Sequence, residues 1–201
     1  CVVAVGGGSS LDAGKAIAAM LTVNGTVRDY LEGMGSREHP GTRLPLIAVP
    51  TTAGTGSEAT KNAVISSVGP DGFKRSLRHD AFVPDLAIID PSLALSIPAA
   101  TTAHSAFDCI TQLIESYIAT KASPLTDALA LPALESALNT LVPLCTTGLA
   151  DTGLRGAMAL AAFTSGVTLA NAGLGLCHGI AGPLGGFFPV PHGIACANIM
   201  V

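Results

Sequence analysis

"CVVAVGGGSSLDAGKAIAAML" occupies residues 1–21. Its first five residues are an unbroken apolar run, three of them valine. Such a run predicts a short strand buried on both faces of a sheet. Three glycines follow, and then a helical pattern over 11–21. Strand, glycine turn and helix in that order open a parallel α/β unit. "LPLIAVPT" (44–51), "NAVISSV" (62–68) and "DLAIID" (85–90) predict further strands.

The turn itself suggests a ligand. Gly6, Gly7 and Gly8 allow a sharp turn and close approach of the backbone to a bound group. Free amides and the helix dipole behind them favour a phosphate. Ser9 is expected to cap the helix, with Asp12 as the acid of a capping box. The spacing is not GxGxxG, and alone the turn reads equally well as a tight connection with no ligand. A second turn, "VPTTAGTGSEAT" (49–60), places Thr51, Thr52, Thr55 and Ser57 around two glycines after another strand. Two such turns on the carboxyl edge of one sheet favour nucleotide binding.

Beyond "SIPAATTA" the pattern becomes helical. Residues 99–120, 125–142 and 154–170 predict helices, so residues 1–97 form the α/β part and 98–201 a helical part. The run from Gly156 to Val201 contains no Asp, Glu, Lys or Arg. Its glycines and its Thr, Ser, Asn and His residues favour a buried core helix over a membrane span.

In 101–119, His104, Asp108, Gln112 and Glu115 form one polar stripe at helical spacing. Such a stripe is commonly the solvated face of a helix. His178 and His192, which bracket an apolar, glycine-rich segment expected to be a loop, change the reading. A carboxylate and two imidazoles make a cation site with an open position.

Hydrophobic residues make up 49% of the 201 residues and charged residues 12%, which describes a packed globular protein. The net charge is −4 and the basic residues are scattered, which excludes a nucleic-acid partner. Five widely spaced cysteines without a CxxC suggest reduced thiols in a cytoplasmic protein. Both ends lie within apolar runs and read as cuts through a larger fold.

"GGGSSLDAGKAIA", "AVPTTAGTGSEAT", "VPDLAIIDPSL", "FDCITQLIESYIA", "NAGLGLCHGIAGPLGG" and "VPHG" stand in the order seen in the iron-containing (group III) alcohol dehydrogenases. The chain resembles that family over essentially its whole length. The resemblance implies a dehydroquinate synthase-like fold, with an NAD(P)-binding α/β domain and a helical metal-binding domain, both incomplete here. It implies that Gly6, Gly7, Gly8, Ser9 and Asp12 belong to the pyrophosphate turn. Thr51, Thr52 and Ser57 would approach the phosphates and ribose, and Lys74 would lie by the cofactor. Asp108, His178 and His192 would hold iron or zinc, with Gln112 as a weaker neutral donor and His104 as a possible substitute. Two positions depart from the usual pattern: Gln112 and Gly182 stand where many members carry histidine.

The resulting expectation is a metal-assisted alcohol dehydrogenase or aldehyde reductase acting on a small alcohol or carbonyl, a homodimer with no membrane partner. The segment Gly182–Pro191, with Phe187 and Phe188, would wall the site against water. A metal-independent maleylacetate-type reductase and a catalytically incompetent fragment are the alternatives.

Overall fold

β1 (Val2–Gly6), β2 (Leu46–Pro50) and the two-residue β5 (Leu86–Ala87) form a parallel sheet in the order β1-β2-β5. The structure is a computed structural model and describes residues 1–200. α1 (Gly8–Met20) crosses from β1 toward β2 and packs on one face of the sheet. Leu11 and Ala18 meet Ala4, Leu46 and Ala48 there. The approach is close because Gly14 has no side chain: a Cβ at that position would stand 2.4 Å from the Ala4 Cβ.

The other face of β1 is not buried. Val3 and Val5 are 55% and 57% exposed, because no described element covers them. The expectation of a strand buried on both faces is corrected to one buried face.

β3 (Asn62–Ser67) pairs with a strand the sequence reading missed, β4 (Phe73–Arg78), in an antiparallel hairpin separate from the sheet. Three cations in six residues hide β4 in a hydropathy reading. Leu77 is its buried residue, and it joins Ala63, Phe82, Ala16 and Ala19 in a core that sandwiches α1 between hairpin and sheet.

The second half is helical: α2 (Ala99–Tyr117), α3 (Pro124–Thr146), α4 (Thr152–Ala172), α5 (Leu176–Phe187) and α6 (His192–Met200). Ile110, Leu113, Leu144 and Met158 from α2, α3 and α4 form its main core, each at most 2% exposed. Full burial of one such side chain contributes about 1.5–3 kcal/mol. α2 is enclosed on nearly every side, so its polar stripe is not a solvated face: Asp108, Gln112 and Glu115 are all buried.

The uncharged run is not one core helix. It is divided among α4, α5 and α6, with a 103° bend between the first two. Gly173, at φ +84°, ends α4 in a conformation that favours glycine. The segment between the two histidines is likewise mostly helix α5, with only a short link before α6. One helix, α3, is long and apolar enough by length and composition to cross a membrane. It carries Asp127 and Glu135, and it buries Ala130, Ala137 and Leu144 against α2 and α4.

Candidate metal centre

Asp108 projects from the middle of α2, and its Oδ1 is the point on which three other side chains converge. His178 Nε2, from the first turn of α5, lies 3.2 Å from it. His192 Nε2, from the first residue of α6, lies at 3.7 Å. Cys196 Sγ, one turn along α6, lies at 3.8 Å. The two imidazoles meet edge to face, with centroids 5.3 Å apart. Gly193 brings α6 this close to α2: a Cβ there would fall 1.8 Å from the His104 carbonyl oxygen.

Glu115 lies two helical turns beyond Asp108 and was not singled out as a site residue from sequence. Its carboxylate accepts the Cys177 amide at 2.7 Å and the His178 amide at 3.3 Å, which satisfies the start of α5. It also accepts the proton of His178 Nδ1. That bond fixes the ring and directs Nε2 toward Asp108, the arrangement that orients metal-binding histidines.

The electrostatics suit a cation. Burial alone would raise the Asp108 carboxyl, but His178, His192 and Lys74 hold it below the ordinary carboxylate range. Burial pushes His178 down, yet Asp108 and Glu115 outweigh it and raise the imidazole above its usual value. A cation between Nε2 and Asp108 would take the place of that proton. Burial drives His192 down to about 4 against the pull of Asp108, so the ring is neutral at pH 7. Its Nδ1 is buried without a partner, and its Nε2 stands beyond hydrogen-bond distance of Asp108. A neutral imidazole whose Nε2 meets the Cys196 thiol at 3.9 Å and faces a buried carboxylate, beside a second imidazole, fits a divalent cation.

Asp108 and His192 also line a cavity of about 510 Å³. Its opposite wall is the first glycine turn, Gly7 to Ser10, with Thr52 and Thr55 of the second. α1 begins at Gly8 with extended Gly7 as its N-cap, and no side chain caps it. Ser9 is therefore an exposed residue of the first turn, which corrects the expected serine cap. The absence of Cβ atoms keeps the turn tight, since one at Gly8 would stand 2.5 Å from the Thr55 methyl.

Several expected residues lie elsewhere. Asp12 accepts from Ser57 Oγ at 2.6 Å and from the Val64 amide at 3.0 Å, so it is not a capping acid. Ser57 also accepts from Lys15 Nζ at 2.9 Å. These groups hold α1 against the segment that follows β2, and neither Asp12 nor Ser57 lines the cavity. Lys15, only 1% exposed, anchors the network with further bonds to Thr60 and the Asn62 carbonyl.

Thr51 faces a separate small cavity beside Glu58 and Asp90. Gly6 precedes the turn at φ +147° and accepts the Thr51 amide. Lys74, on β4, lies mostly buried with its charge toward Asp108 and Cys196. Gln112 is not drawn into the cluster, because its amide oxygen accepts from Ser165 Oγ at 2.7 Å. His104 lines the cavity but does not join the convergent donors. Of the segment Gly182–Pro191, Pro191 lines the cavity, but Phe187 and Phe188 are 50% and 55% exposed and do not, so the expected contribution of the two rings to the apolar wall is corrected. A Cβ added at Gly182 would meet nothing within 4 Å.

Two family models divide nearly the whole chain between them. That of iron-containing alcohol dehydrogenase matches residues 1–91, and that of the Fe-containing alcohol dehydrogenase family, C-terminal, matches residues 102–201. The chain belongs to the iron-containing alcohol dehydrogenase family. This family member is 38% identical over 199 residues to long-chain-alcohol dehydrogenase 1 of Geobacillus thermodenitrificans, covering 99% of the chain and 49% of the relative. It is 39% identical to the NAD-dependent methanol dehydrogenase of Bacillus methanolicus, covering 96% and 49%. Its fold matches the sulfoacetaldehyde reductase of Bifidobacterium kashiwanohense, solved in complex with NAD+, with a TM-score of 0.88 and 33% identity over 96% of this chain and 50% of that one. The chain spans about half the length of the curated relatives it matches.

Proposed function

We propose that the chain belongs to an NAD(P)-dependent, metal-assisted alcohol dehydrogenase or aldehyde reductase, which transfers hydride between a nicotinamide and a small alcohol or carbonyl. The observation that carries this reading is the shared cavity: the glycine turns form one wall, and Asp108 and His192 the other. In the proposed division, residues 1–97 belong to the nucleotide-binding part and residues 98–201 to the metal-holding part.

A divalent cation, iron or zinc, held by Asp108, His178 and His192 would act as a Lewis acid on the substrate oxygen. Gly7, Gly8 and Ser9 offer an uncapped helix start to a pyrophosphate. Thr52 and Thr55 add hydroxyls on the same wall. Asp108 supplies a buried negative charge, and Glu115 holds the His178 ring in register. Gly182 offers no side chain that could carry a proton, and a Cβ there would meet nothing within 4 Å. Assembly as a cytoplasmic homodimer goes with this reading, and sedimentation tests the dimer.

The test combines Asp108→Ala and His192→Ala with a fluorescence titration of NAD(H). Both variants should lose at least about 100-fold in turnover while NAD(H) affinity is kept. Unchanged turnover would sink the metal-assisted reading, and metal-free turnover in the native protein would favour the metal-independent alternative.

A further inference from the structure

The cluster contains one donor that the three-ligand reading does not use. Cys196 is fully buried, and its Sγ lies 3.8 Å from Asp108 Oδ1, 3.8 Å from His178 Nε2 and 3.9 Å from His192 Nε2. It stands one turn after His192 on α6, so both side chains leave the same helix face. Four donors at the bond lengths of a zinc site would stand roughly 3.3–3.6 Å apart. The contacts made by Cys196, and those of Asp108 with each histidine at 3.2 and 3.7 Å, lie near these edges.

We propose that Cys196 is a fourth donor to the cation, completing an Asp–His–His–Cys set that suits a borderline divalent ion such as zinc. This rests on the reading of Asp108, His178 and His192 as ligands. The chemistry follows from softness: a thiolate suits a borderline ion better than it suits a hard one such as magnesium or calcium. Metal binding releases the thiol proton to solvent as the sulphur–metal bond forms. The direction of approach matters too. Asp108 and His192 line the cavity and Cys196 does not, so the sulphur reaches the cation from the protein side. The cavity side would stay free for a substrate oxygen. Gln112, engaged with Ser165, leaves the fourth place to this thiol.

Cobalt(II) alone is the probe, because a cobalt–thiolate bond gives a near-ultraviolet charge-transfer band that nitrogen and oxygen donors do not. Equilibrium dialysis of the purified protein measures stoichiometry beside the spectrum. The expected result is one cobalt bound with the band present. The band should vanish in Cys196→Ser and Cys196→Ala, with far-ultraviolet circular dichroism retained and zinc affinity reduced on the order of 100-fold. Cys177 is the neighbouring thiol, bonded to the Cys196 carbonyl at 3.4 Å, so Cys177→Ser is the control and should keep the band. Stoichiometric cobalt without the band, or a band lost only in Cys177→Ser, overturns the role of Cys196 and leaves the three-ligand site standing. No cobalt bound by the native protein overturns both.

Discussion

Glu115 shows how much one side chain can organise. It accepts two amides at the start of α5 and the Nδ1 proton of His178. Glu115→Gln keeps the volume but removes the charge that fixes the ring. Metal affinity should fall about 10- to 100-fold by equilibrium dialysis, and an unchanged affinity would remove Glu115 from the positioning role. Lys15 makes a different case. Burial lowers its ammonium from 10.5 to about 8, although Asp12 opposes the shift. A group whose folded pKa lies below its unfolded value leaves the unfolded chain holding more protons between the two. Stability should therefore rise with pH from about 8 to 10.5, by on the order of 3 kcal/mol. Urea unfolding of native protein and Lys15→Met across that window checks this, since the rise attributable to Lys15 should be absent from the variant.

At the scale of elements, glycines decide which helices can touch. Gly193→Ala would force a methyl into the His104 carbonyl, so α6 must move away from α2. That substitution should cost about 1–3 kcal/mol or more. Gly179→Ala, in α5 with nothing within 4 Å, should instead stabilise by about 0.5–1 kcal/mol. Urea midpoints of the two variants should move in opposite directions. The same elements show what could be read from sequence. The helical spacing of 99–120, which the structure realises over Ala99–Tyr117, and the two glycine turns after apolar runs were legible because periodicity and turn chemistry are local. Spacing could not say which face of α2 is buried, because that depends on α5 and α6 returning many residues later. Glu115 and Cys196 share faces with Asp108 and His192 at intervals of seven and four residues, so the signal existed without the partner that gives it meaning. β4 was hidden because its charges suggest a loop, and Ser9 was misplaced because glycine, not serine, sets the helix start.

At the scale of the whole chain, an α/β part and a helical part meet around one cavity. That architecture was legible in the change from β-branched runs to helical spacing. Burial was less so. Val3, Val5, Leu138 and Val142 are all more than half exposed, although hydropathy alone would place them inside. The cluster on Asp108 has a mechanical consequence. Asp108 and His178 are 70 residues apart, and a cation between them would pin the end of the chain to its middle. Phe187, which ends α5, and Phe188, which opens the link beyond it, are exposed, and the Phe187–Phe188 bond is a cleavage point for chymotrypsin. Chelation should release that pin and raise nicking at this bond several-fold, with added zinc restoring resistance. Equal nicking with and without chelator would mean that the helices hold their places unaided. A rise on chelation would mean that the bound ion governs how long the polypeptide survives a protease as well as what it reacts with.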